Sequence, residues 1–486
     1  MKLQVKGYIS VYLCLILAVL IPLIATIIEA ARFSAMKLDI ECAVDIGMDS
    51  VLAEYNRELF EEYDLFFVDT SYGESIGNTD NTVEHFDDYL SYNLDPDKNL
   101  IVLNAKDLFD LNAQNTRITK IARATDNNGE VFRFAVMQYM LEYYQIAYIQ
   151  DIQDMVESVE ESEINDIDIN ADSEASNLAL SSFNFPEDDG NDYSDVSIDN
   201  PSEGLESVKS LGILNIVAPG KDISSKSINP DLYASHRDLI NGDGLFFDET
   251  SYDFPIMNIL VNEYVMQKCG YFDNVKDNGL LDYQVEYVIA GKSNDTDNLK
   301  SIADRLLLLR GGANTIYFMS DSELKEEAKT MAEGLALLIE CPSLSTLFEG
   351  VITTAWISAE SIYDVKLLFS GKNVPLFTSK ESWDLSLENA LCGNLVAIEE
   401  AAGISDDNDD GVLKMNYADY LRLFLYFTGK DDVAMRTMDI IEMDVRKNTG
   451  NDYFRMDDCA FGFEIQTVIT SGYGYEFMVS KEFGYW

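Results

Sequence analysis

The chain has 486 residues, of which 34 are Lys or Arg and 86 are Asp or Glu, giving a net charge of −52, yet 47% are apolar and two are histidine. That apolar fraction builds one large core or two to three domain-sized ones and excludes an acidic disordered chain. The charge excludes nucleic acid as a partner, because phosphate binding rests on clustered Lys and Arg, and His85 and His236 leave little room for imidazole catalysis or His-based metal sites.

Residues 1–7 read as a short basic leader carrying Lys2 and Lys6. From Tyr8 to Ile28 no residue is charged, and at about 1.5 Å per residue that run crosses a hydrocarbon layer of roughly 30 Å. Residues 8–28 are therefore expected to form a transmembrane helix in the lipid bilayer, kinked at Pro22. With the lysines before the span and the acidic residues after it, the positive-inside rule predicts a cytoplasmic N-terminus and an extracellular C-terminal domain of charge −54 at the cell membrane. No A-x-A site follows the run, which predicts a retained single-pass anchor rather than a cleaved signal.

Beyond Glu29, apolar residues recur at Phe33, Met36, Ile40, Ala43, Gly47, Val51, Tyr55 and Leu59. Spacing by three and four is one helical face, so residues 29–62 are expected to continue the membrane helix outward. A helix first lipid-embedded and then amphipathic suits a pilin-like subunit; an anchor joined to a globular domain by its first packed helix suits it equally.

Lys6-Gly7, the uncharged run with Pro22, and Glu29-Ala30-Ala31-Arg32 together resemble the N-termini of TadE/TadG-like proteins of tight-adherence, Flp-type pilus systems. The resemblance implies leader cleavage between Gly7 and Tyr8 and a helix motif of Pro22, Glu29 and Arg32. A second resemblance covers most of the remaining chain: AVDIGMDSVLAEYNRELFEEYDLFFVDTSYG, LDYQVEYVIAGKSNDTDNLKSIADRLLLLRGGAN, AESIYDVKLLFSGKNVPL and YADYLRLFLYFTGKDDVAMRTMDIIEMDV are similar to an uncharacterised family of anchored surface proteins of Gram-positive anaerobes. It implies no activity.

Residues 63–162 form the first ectodomain segment, with a strand at 63–69, short helices at 83–92 and 105–122, and a long helix from Val131 to about Ser162. Residues 163–208 are acidic and rich in Ser and Asn, which predicts a surface loop or linker. Residues 209–486 read as the main α+β ectodomain. Strands are expected at 280–290 and 315–319, helices at 298–309, 322–340, 344–362, 417–428 and 432–445, and a hairpin at 460–469 and 474–482. Strands so far apart predict a mixed or antiparallel sheet covered by helices.

Asp406, Asn408 and Asp410 with Gly411 match the first half of a calcium loop. Position twelve holds Tyr417 rather than Glu, so an acidic turn before a helix is the alternative. Gly291-Lys292-Ser293 lacks the earlier glycine of a phosphate loop, which would stand at Glu286. Ser34-x-x-Lys37 and Ser322-x-x-Lys325 lack a K-T-G partner. No C-x-x-C occurs, and Cys42, Cys269, Cys341, Cys392 and Cys459 are too dispersed for a disulfide framework. No cofactor is expected, with calcium the single candidate. The reading is a non-enzymatic surface protein, pseudopilin-like or accessory to a tight-adherence pilus or related envelope assembly, with other pilus or pseudopilin subunits as partners. The alternative is a membrane-anchored extracellular binding or adhesion protein unrelated to pili.

Overall fold

Helix α1 runs without interruption from Lys6 to Leu52, with Pro22 inside it. This computed structural model describes residues 6–75, 77–95, 107–143, 212–246, 254–277, 279–338, 342–391 and 414–486. The architecture is α+β with antiparallel sheets. Contacts group the chain into two interleaved units, one of residues 1–138, 238–251 and 445–486 and the other of residues 139–237 and 252–444.

In the first unit, α1 changes character along its length. Ile9, Leu13, Val19 and Ile27 are exposed, whereas Met36, Ile40, Val44, Met48 and Val51 are buried. Each such buried side chain contributes roughly 1.5–3 kcal/mol through removal from water. The helix stops at Leu52, short of the expected 62, because Asn56 begins a separate helix α2 (Arg57–Tyr63) by accepting the Leu59 N–H at 3.1 Å. The expected strand at 63–69 shrinks to β1 (Val68–Asp69). Helix α3 (Thr79–Leu94) presents Thr82, Phe86, Leu90 and Leu94 at every fourth position and packs on α1.

Of the helix expected at 105–122, the described residues 107–122 are not helical. Leu111–Arg123 forms strand β2, whose Thr116, Ile118, Thr119 and Ile121 favour extended backbone. It pairs antiparallel with β5 (Cys459–Ser471), from Leu111 opposite Ser471 to Arg123 opposite Ala460. The other edge of β5 carries β6 (Glu476–Gly484), closing the expected C-terminal hairpin, and the short β1. Ile40, Val44, Met48, Phe86, Phe463 and Ile465 belong to the core between helix and sheet. After β2, Asn127, Asn128 and Gly129 take left-handed conformations in succession, residue types that tolerate them. Helix α4 (Asp126–Tyr143) is regular only beyond that bend. The Asp126 carboxylate accepts the N–H groups of Arg123, Gly242 and Gly244 at 2.8, 2.6 and 3.1 Å, tying residues 238–246 to the end of β2.

The second unit is mostly helical: α5 (Ile213–Val217), α6 (Phe254–Lys268), α7 (Gln284–Ala290), α8 (Asp295–Ser320), α9 (Ser322–Leu338), α10 (Ser345–Phe369), α11 (Leu387–Leu391), α12 (Tyr417–Phe427) and α13 (Lys430–Thr449), with a two-strand ladder of β3 (Val374–Pro375) and β4 (Lys414–Met415). Two expected strands are helices. Residues 284–289 are all buried, Gln284 and Glu286 included, so α7 has no solvent face, and the alternation of Gln284 and Glu286 with Val285 and Tyr287 imitates the period of a strand. Thr315–Met319 is the end of α8. Trp356 of α10 packs with Phe318, Ala332 and Leu387, and its indole N–H donates to the Leu385 carbonyl at 2.8 Å.

Candidate functional site

The expected motif residues Glu29 and Arg32 lie where α1 passes from exposed to packed. Arg32 pairs with Glu29 at 2.7 Å, one turn apart. Glu29 also accepts the Tyr475 hydroxyl at 2.6 Å, and the Arg32 guanidinium stands 4.2 Å from the Tyr473 ring centre. The carboxylate beside it raises the Tyr475 hydroxyl pKa. Phe33 meets the rings of Tyr475 and Phe477 at 5.6 and 5.2 Å. Further along, Lys481 reaches Asp45 at 2.5 Å, and the Tyr485 hydroxyl donates to the Leu52 carbonyl.

These contacts form a clasp whose register follows from backbone geometry. Glu29 to Leu52 is about 35 Å of helix at 1.5 Å per residue, and Tyr475 to Tyr485 is about 34 Å of strand at 3.4 Å per residue. The strand therefore runs the length of the packed half of α1 and fastens it at both ends. Sequence reasoning singled out Glu29 and Arg32 but missed Tyr473, Tyr475, Lys481 and Tyr485, whose partners lie more than four hundred positions away. Pro22 stays within an unbroken helix. Gly7 and Tyr8 lie in the first turn of α1; Asp406, Asn408 and Asp410 fall outside the described residues. Among the described residues no cluster of His, Cys, Asp and Glu has the geometry to hold a metal ion, and Cys14, Cys42, Cys269 and Cys459 are free thiols.

The second unit concentrates buried carboxylates. Glu286, the position that rejected a phosphate loop, is fully buried, accepts the Phe272 N–H at 2.9 Å and the Tyr417 hydroxyl at 2.8 Å, and is pushed up to about 7 by burial. Gly291 caps α7 in a left-handed conformation, so Gly291-Lys292-Ser293 follows a helix, not a strand. Glu360 accepts the N–H groups of Asp384 and Leu385 at 2.8 and 2.9 Å and rises to about 8 through burial and then the nearby Asp364. Arg310, also buried, pairs with Asp364 at 3.0 Å and donates to the carbonyls of Pro375 and Leu376.

Ser235, His236 and Asp439 come together, but in the wrong order for a catalytic relay. Ser235 Oγ lies 2.7 Å from His236 Nδ1 and donates to Asp439, which also accepts the Ser235 N–H and the Tyr287 hydroxyl. A relay needs the carboxylate to orient the histidine and the histidine to take the serine proton; here the carboxylate holds the serine directly. The group ties the 230s loop to α7 and α13.

A surface groove of about 950 Å³ runs along α9, floored by Met331, Leu335, Leu338 and Leu387 and rimmed by acids including Glu326 and Glu388. Met331 and Leu338 are exposed in it.

Residues 191–471 match the model of a family described as of unknown function, DUF5702. No curated protein and no solved structure matches the chain.

Proposed function

The chain belongs to this DUF5702 family of unknown function, which spans more than half its length and brings no activity with it; from that premise we propose a single-pass, non-enzymatic envelope protein, pseudopilin-like or accessory to a Flp-type pilus or related assembly. The observation that carries the reading is α1: one continuous helix whose first half is apolar and unpacked and whose second half is clasped to an antiparallel sheet. Among the described residues α1 alone is long and apolar enough to cross a membrane. An unpacked apolar helix rigidly continuous with a head lets neighbouring copies pack by their helices in the bilayer. Lys2 and Lys6 favour a cytoplasmic N-terminus, and Lys6-Gly7 before the span favours processing between Gly7 and Tyr8. Mass spectrometry of the mature protein is expected to find Tyr8 at the N-terminus, and crosslinking in cells to recover the pilus ATPase or platform subunits. An intact Met1 terminus together with no such partner would overturn it.

A second reading, a membrane-anchored binding protein unrelated to pili, draws on the acid-rimmed apolar groove of α9. Crosslinks that map to that groove and recover no pilus component favour it over the first.

A further inference from the structure

The hairpin turn meets α1 just beyond its apolar run, and three exposed apolar side chains lie on or beside these two elements. Phe33 is on the helix, Leu108 precedes β2, and Tyr473 is in the turn of the C-terminal hairpin; they are 43%, 66% and 51% exposed. The turn is fixed to both neighbours. Gly472 N–H donates to the Phe109 and Asp110 carbonyls at 3.1 and 3.0 Å, which brings the segment after Leu108 against it, and Tyr475 bonds Glu29. A soluble surface has little use for three large apolar groups around the root of an apolar helix.

Their height decides what they meet. The uncharged run ends at Ile28, and Arg32 lies four residues on, about 6 Å further along the helix axis. The polar layer on each face of a bilayer is roughly 5–7 Å thick. Arg32, with the Tyr473 ring against its guanidinium, therefore falls within the headgroup layer if residues 8–28 fill the hydrocarbon. Tyrosines with an apolar ring and a polar hydroxyl favour that layer, as does an arginine whose stem lies along apolar surface.

Resting on the reading of residues 8–28 as a membrane span, we propose that Phe33, Tyr473 and Tyr475 beside Arg32, with Leu108 next to the hairpin turn, form an interfacial lipid-binding rim that seats the base of the first unit in the headgroup layer. The clasp then transmits that seating along the packed half of α1 through Lys481 and Tyr485. Asp110 and Glu476 flank the turn, so the rim binds by its rings and apolar groups rather than by attraction to anionic headgroups.

Photo-crosslinking of the full-length protein in phosphatidylcholine vesicles, with or without an equal part of phosphatidylglycerol, tests this. Benzoylphenylalanine is placed singly at Tyr473, Leu108, Leu20 and Tyr453. Leu20 reports the span itself. Tyr453 is an exposed residue of the same unit that lies beyond the opposite end of β5, about 40 Å along the strand from the turn. Lipid adducts are expected at Leu20, Tyr473 and Leu108, at several times the Tyr453 yield and independent of phosphatidylglycerol. Adducts at Leu20 with Tyr473 and Leu108 no higher than Tyr453 would overturn the rim and leave the span standing. No adduct at Leu20 would overturn the span and the rim with it.

Discussion

Glu286 makes a quantitative claim about pH. Its carboxyl titrates at about 7 in the folded chain against an ordinary value of 4.5, chiefly because burial disfavours the charged form; the N–H of Phe272 and the hydroxyl of Tyr417 pull it only part of the way back. A carboxyl with its folded value raised binds its proton more tightly when folded. Its contribution is fully present below pH 4.5 and is lost as pH rises to 7 and beyond. The gap corresponds to on the order of 3 kcal/mol. Glu286→Gln keeps an oxygen for the two donors and removes the titration. Any fixed cost of its amide N–H groups is the same at every pH and drops out of the comparison. Urea unfolding of the solubilised chain, followed by the fluorescence of Trp356 and Trp383 in the same unit, measures stability from about pH 5 to pH 8. The native chain is expected to lose on the order of 3 kcal/mol more than the variant across that window. Other groups titrate in both proteins and cancel. Parallel curves would refute the assignment of a buried, proton-binding Glu286.

Arg310→Ala strands Asp364 in the interior and is expected to cost about 3–5 kcal/mol in the same urea assay; adding Asp364→Asn should recover part of that loss. A side chain begun at Gly47 meets the Phe86 ring at 3.1 Å, so Gly47→Leu is expected to push α3 from α1 and destabilise the first unit by about 1–3 kcal/mol, with Gly47→Ala milder. Tyr475→Phe removes the hydroxyl that reaches Glu29 and is expected to speed amide exchange in the hairpin turn. Glu29→Gln should do the same, and the double variant should add little, because the two changes break one contact.

The calcium loop expected at Asp406, Asn408 and Asp410 rests on local pattern alone and lies outside the described residues. The elements that local pattern located well share one property: a face that repeats. Met36, Ile40, Ala43 and Val51 announce α1, and the amphipathic run of α12 and the alternation of β5 and β6 do likewise. Pattern failed where burial is total or partners are remote. The strand expected at 280–290 is helical from Gln284 because every side there is apolar or internally bonded, and the helix expected at 105–122 gives way to β2, whose β5 partner lies more than three hundred residues away.

What the sequence by itself determined is therefore the lengthwise plan: an uncharged run followed by an amphipathic one, with every acidic residue after the run, because hydropathy and charge act on each residue where it stands. The tertiary structure alone decided what holds that plan together. Glu29 and Arg32 acquire a role only when Tyr473 and Tyr475 are brought beside them from the opposite end of the chain. Likewise, Glu286 holds a proton near neutral pH only because packing removes water from around it. Both effects depend on proximity and desolvation, which exist only after the chain has folded.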